Sequence, residues 1–180
     1  MPETSEANPQ PIPDDSNVAI ETRQLTREFG SFRAVDRLDL RIGRGRFYGF
    51  LGPNGAGKST TIKMLTGLLA PSGGSIRILG EDMSDSTRAL EVKRRIGVVP
   101  EDLGLFDNLT AREYLTFIGR MYLLPKDTVR ERGEELLAMM DLADDRKKLT
   151  LEFSHGMKKK LALAGALIPN PDLLFLDEPF

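Results

Sequence analysis

Apolar and polar residues alternate along Val18-Ala19-Ile20-Glu21-Thr22 and again along Leu38-Asp39-Leu40-Arg41-Ile42. A period of two predicts half-buried strands of an antiparallel layer. Residues 46–51 are more continuously apolar, as expected of a strand buried on both faces. They run into a glycine-rich turn and then a helix-forming stretch at 58–69. Another strand is predicted at 75–79, closed by Gly80, followed by a short helix at 88–94 and a strand at 96–99. From Thr110 to Leu142 the period becomes helical, and Thr110-x-x-Glu113 reads as a capping box that opens a helix. Pro125 separates it from a second helix, in which Val129, Leu136, Leu137 and Met140 recur at core spacing. A third helix starts near Ser154 and ends before Pro169. The last strand is Leu173-Leu174-Phe175-Leu176, predicted to be buried and parallel, ending in Asp177-Glu178.

Residues 1–17 break this patterning. They contain Glu3, Glu6, Asp14 and Asp15, four prolines and no basic residue, and are expected to form a disordered tail. Residues 18–180 are then expected to form one domain, since hydrophobic residues at 40% of the chain suffice for a core. A formal charge of -2 argues against a nucleic-acid binder. The chain has no cysteine, which excludes disulfides and thiolate metal sites and fits a reducing compartment. No apolar run approaches the roughly 18 residues that span a bilayer, and no signal peptide is visible. A soluble cytoplasmic protein is expected.

Gly52-Pro53-Asn54-Gly55-Ala56-Gly57-Lys58-Ser59-Thr60 matches G-x-x-x-x-G-K-[ST] in full. Glycines let the backbone wrap an anion, and successive N–H groups at a helix N-terminus then point at phosphates. Lys58 can reach the β- and γ-phosphates, while the Ser59 hydroxyl can ligate magnesium. Asp177, at the carboxyl end of a strand, suits a magnesium-holding role; Glu178, on the other side, is the candidate general base for an attacking water.

Together, GPNGAGKSTT, the segment FSHGMKKKLALAGALIPNPDLLFLDEP and the spacing between them resemble the ATPase domains of ABC transporters. Within that family the chain is most similar to ATPase subunits of bacterial ABC-2-type, multidrug-efflux-like exporters. The resemblance implies an α/β P-loop NTPase with an antiparallel β layer, a parallel core sheet and a helical subdomain at about 102–165. It also implies that Phe29 stacks on adenine. Ser154 and Gly156 fall on the S-x-G of the signature motif, which implies contact with the γ-phosphate held by a second ATPase subunit in a head-to-tail dimer. The helical subdomain is expected to meet a membrane-spanning permease, placing the protein at the inner face of the cell membrane. ATP and Mg2+ are the implied ligands, with Ser59, Glu101 and Asp177 around the metal, Lys58 and Glu178 catalytic, and no nucleic acid.

The chain departs from the family pattern at several positions. Glu101 stands where the family usually has glutamine, offering a charged oxygen to magnesium instead of a neutral carbonyl. Phe153, His155 and Met157 replace the commonest signature residues, and His155 is expected to be a partly exposed signature residue. Lys158-Lys159-Lys160 is expected to be a solvated helix face. The family continues beyond the position of Phe180 into a dimer-contacting loop, a core strand and a switch histidine. The C-terminal part of the core is therefore expected to be missing, leaving this 180-residue chain poorly folded and weakly active or inactive. Two other readings stand beside transport: a soluble ABC ATPase acting in translation or DNA repair, and a non-catalytic nucleotide-binding fragment.

Overall fold

A computed structural model of the chain describes residues 17–177. Residues 1–16, most of the expected tail, lie outside the described residues, as do Glu178, Pro179 and Phe180.

The two alternating stretches become long strands, β1 (Val18–Phe29) and β2 (Phe32–Gly43), joined by a tight turn at Gly30-Ser31. With β3 (Gly73–Ile78) and the two-residue β4 (Glu81–Asp82) they form an antiparallel sheet in the order β2-β1-β3-β4. The pairing of β1 with β2 shifts register at several points, one of them at Gln24. Gln24 adopts φ 50, and the pairing with β2 shifts register between Thr22 and Leu25. Such an irregularity inserts a residue and moves the following side chains to the opposite face. Ile20 and Thr22 are buried before it and Leu25 after it.

The inner face of this sheet packs on α1 (Lys58–Leu65) through Met64 and Leu65, on α2 (Ser86–Lys93) through Val92, and on Ile96 and Phe175. The latter two belong to β5 (Ile96–Val99) and β6 (Leu173–Leu176), which pair in parallel with Val99 opposite Leu176. A second core joins α3 (Ala111–Met121), α4 (Lys126–Met139) and α5 (His155–Leu167) around Leu115, Leu137, Leu142, Leu161 and Ile168. The capping box opens α3 as the sequence indicates: Thr110 Oγ1 accepts from the Glu113 amide, and Glu113 accepts from the Thr110 amide. Helix α5 links the two cores, because its Ala162 and Ala166 pack against Val99 of β5. That approach is close. A Cβ on Gly97 would lie 2.4 Å from the Ala166 carbonyl oxygen, so no larger residue fits there without movement.

Three expectations need correction. Residues 46–51 form no strand: they pair with none of the described strands, and Phe47, Tyr48 and Leu51 stand in solvent. A buried parallel strand needs ladder partners for its N–H and C=O groups, and among the described residues the parallel sheet holds only β5 and β6, with no strand paired to either outer edge. For the same reason β6 is less buried than expected. Only Phe175 is fully covered, and Leu176 is 38% exposed. Finally, the helix predicted at 58–69 ends at Leu65, where Thr66 caps it and Gly67 turns the chain at φ 69.

Candidate nucleotide-binding site

The loop at 52–57 is shaped by its glycines. Gly57 is the N-terminal cap of α1 at φ 84, a left-handed conformation that costs other L-residues about 1–2 kcal/mol. Space forbids a side chain there as well, since a Cβ would sit 2.4 Å from the Ala34 carbonyl oxygen. With glycine as its cap, α1 has no side-chain acceptor for its first-turn amides and no acidic residue in that turn. Helices α2, α3 and α5, by contrast, are capped by Asp85, Thr110 and Ser154. An uncapped N-terminus with the dipole behind it is a place for an anion.

Lys58 projects from the first position of that helix and folds back over the loop. Its ammonium donates to the carbonyl oxygens of Gly52 at 2.8 Å and Pro53 at 3.1 Å. The positive charge therefore sits over the loop, and these two carbonyls hold it there. Above it opens a cleft of about 490 Å³ lined by Phe29, Phe32, Asn54, Gly55, Lys58, Ser59, Thr60 and Glu101 among others. Phe29 and Phe32 are cross-strand neighbours at the tip of the β1–β2 hairpin, 47% and 62% exposed. The cleft thus combines an apolar aromatic wall with a cationic floor of amides, a fit to a nucleobase and its phosphates.

Asp177 follows β6 directly and is 6% exposed. Its amide donates to the Val99 carbonyl at 2.9 Å, which continues the β5–β6 ladder by one residue and fixes where the carboxylate starts. Ser59 Oγ donates to Asp177 Oδ1 at 3.1 Å. A buried carboxylate on a hydroxyl at a helix N-terminus supplies two oxygen donors for a hard cation such as magnesium. Among the described residues no group of three or more His, Cys, Asp or Glu is disposed to hold a metal ion. A cation here would therefore complete its shell largely with phosphate and water oxygens. Glu101 lines both the main cleft and an adjoining cavity of about 370 Å³ that includes Asp177.

The structure therefore brings together Phe29, Asn54, Gly55, Gly57, Lys58, Ser59, Thr60, Glu101 and, through Ser59, Asp177. Gly52 and Pro53 take part through their carbonyls, and Pro53 also accepts from the Ala56 amide at 3.2 Å. Ser154 and Gly156 line neither cavity. They stand at the start of α5, where Ser154 Oγ accepts from the Met157 amide and Gly156 and His155 face solvent. Phe153, beside them, is buried in the helical core. Glu178 lies outside the described residues. Phe32 and Ala34 escaped the sequence reading; the signal for them was the hairpin, which places β2 residues beside Phe29.

The sequence profile described as ABC transporter matches residues 35–180. The chain belongs to the ABC transporter family. As a member of that family it is 44% identical over 161 residues to the daunorubicin/doxorubicin resistance ATP-binding protein DrrA of Streptomyces peucetius, covering 89% of this chain and 48% of that protein. It is also 44% identical over 160 residues to the bacitracin transport ATP-binding protein BcrA of Bacillus licheniformis, covering 89% of this chain and 51% of the relative. This ABC chain thus spans about half the length of the curated relatives it matches. A solved structure of an ATP-binding subunit of an ABC transporter superposes with a TM-score of 0.81 at 31% identity, over 90% of this chain and 67% of that one. The cbiO1 subunit from Clostridium perfringens, part of the cbiONQ transporter complex, gives 0.78 at 28% identity, over 90% and 66%.

Proposed function

We propose that this chain belongs to the ATP-binding subunit of an ABC-2-type exporter, which binds and hydrolyses MgATP to drive a separate membrane-spanning permease. The observation that carries the reading is the Ser59–Asp177 hydrogen bond at the mouth of the uncapped α1. It joins the two halves of a nucleotide engine that lie far apart in the chain.

In this reading the phosphates occupy the floor formed by Gly55, Gly57 and the first turn of α1, with Asn54, Ala56 and Thr60 completing the loop. The base leans on Phe29. Lys58 exchanges its loop carbonyls for phosphate oxygens, bringing its charge to where negative charge accumulates during transfer. Ser59 and Asp177, with Glu101 nearby, are the residues that hold magnesium, which when bound neutralises phosphate charge. Glu178 orients and deprotonates the attacking water.

Ser154 and Gly156 stand away from this chain's own cleft, which suits a role toward the nucleotide of a second subunit in a head-to-tail dimer. The second core, around α3, α4 and α5, is the proposed helical subdomain, spanning about residues 102–165 and facing the permease. No helix among the described residues is long and apolar enough to cross a membrane. Transport and resistance in the relatives' names support export over a role in translation or DNA repair.

The test is ATP turnover by the protein reconstituted with its permease. Glu178→Gln should retain MgATP binding and stall hydrolysis. Normal turnover in that variant removes Glu178 as the base, and turnover indifferent to the permease removes the coupling.

A further inference from the structure

The pairing of β1 with β2 shifts register between Leu25 and Arg27 and again between Arg27 and Glu28, so the far end of β1 is irregular. Leu25 is wholly buried, and beyond it Arg27 and Phe29 meet. The Arg27 guanidinium carbon lies 4.5 Å from the centroid of the Phe29 ring. The guanidinium is also tied to the body of the domain: its Nη1 donates to the Ala70 carbonyl at 2.8 Å, in the connection that leaves α1. Its Nε is buried and has no hydrogen-bond partner. A guanidinium edge held that way, with one donor left unmatched, is placed to serve as a flat surface as much as a hydrogen-bonding group. Neighbouring backbone contacts hold the same corner, with the Ser72 amide donating to the Thr26 carbonyl and the Glu28 amide to Ser72 Oγ.

We propose that Arg27 is a positioning residue for nucleotide recognition: it backs the Phe29 ring from the side away from the cleft and presents the other face to the base. This rests on reading the cleft as a nucleotide site. Phe29 stands at a hairpin tip and is nearly half exposed, so on its own it would have rotamers to lose when a base stacks on it. A planar cation across one face removes part of that freedom before the nucleotide arrives, and cation–π contact favours the same arrangement. Because Ala70 follows the helix that begins at the phosphate loop, the tether also sets the ring relative to the phosphate floor. Arg27 acts on the base end of the nucleotide alone and touches no phosphate-binding group.

Binding of MgATP and of magnesium tripolyphosphate, which has no base, separates this role from a structural one. Arg27→Met keeps the aliphatic stem and removes the planar cation. It should weaken MgATP about two- to fivefold, the range expected for an exposed cation–π contact, and leave tripolyphosphate unchanged. In a Phe29→Ala background the same substitution should have no further effect on MgATP. If Arg27→Met is too unstable to measure, Arg27→Lys, which keeps charge but loses the flat fork, takes its place with the same expectations. Equal losses for both ligands, an undiminished effect without Phe29, or unchanged MgATP binding would each overturn the proposal. Failure of the parent protein to bind either ligand would instead refute the nucleotide site itself.

Discussion

Ser59 and Asp177 are 118 residues apart in sequence, and the serine hydroxyl donates to the aspartate at 3.1 Å. One stands in the first turn of α1 and the other at the end of β6, so the hydrogen bond registers the phosphate loop against the parallel strands. Helix α1 packs on the antiparallel sheet through Met64 and Leu65, and Phe175 reaches the same core from β6. The pair is therefore held by packing on both sides.

Asp177→Asn keeps the shape of this contact and removes its charge. A hydrogen bond to a charged group contributes about 1.5–3 kcal/mol, and magnesium needs the anionic oxygen. The expected result is a loss of MgATP affinity of about tenfold or more, with little change for ATP measured in excess chelator. Calorimetric titration in both conditions checks it. Equal losses with and without magnesium would place Asp177 outside the metal site.

Gly57→Ala should damage both fold and site. The residue holds φ 84, and its added Cβ would meet the Ala34 carbonyl oxygen at 2.4 Å, a backbone atom that cannot swing aside. A strained left-handed residue costs about 1–3 kcal/mol, which at roughly 2–4 °C per kcal/mol lowers the melting midpoint by several degrees. Nucleotide affinity should fall with it. An unchanged melting curve would show that the loop is not packed on β2 as described.

The capping box makes α3 sensitive to acid. The Glu113 carboxyl is held below its ordinary value of 4.5, first by the Thr110 amide and then by the Thr110 hydroxyl. A depressed carboxylate contributes stability that is fully present above its unfolded value and is lost as pH falls through its folded one. The protein should therefore lose more stability than Glu113→Gln does as pH falls through and below 4.5. At neutral pH, Thr110→Ala should lower the melting midpoint by roughly 2–4 °C. Parallel acid profiles for the protein and Glu113→Gln would contradict the assignment.

The legible parts of the fold were those written locally. Thr110 and Glu113 announced a helix start because both halves of the box lie within four residues, and Val129, Leu136 and Leu137 marked a core face by their spacing. The phosphate loop was legible because every residue it needs is contiguous. Residues 46–51 were misread because their hydrophobicity describes a fully paired strand, while pairing depends on what lies alongside. Nor did the sequence disclose the irregularity at Gln24, which depends on how β1 fits between β2 and β3. Phe32 went unnoticed because it reaches the cleft as the cross-strand partner of Phe29, and Arg27 because its contact with the Phe29 ring is set by the irregular end of β1. His155, expected to be partly exposed, stands in solvent.

The phosphate grip of the 52–60 loop is tested most directly by titration of MgATP into the protein and into Lys58→Ala. The ammonium now resting on the carbonyls of Gly52 and Pro53 is the charge that the phosphates should claim. The protein should bind MgATP with a dissociation constant in the micromolar-to-millimolar range, about -4 to -8 kcal/mol, and Lys58→Ala should reduce affinity at least tenfold. No binding by the parent protein, or equal binding by the variant, would contradict it.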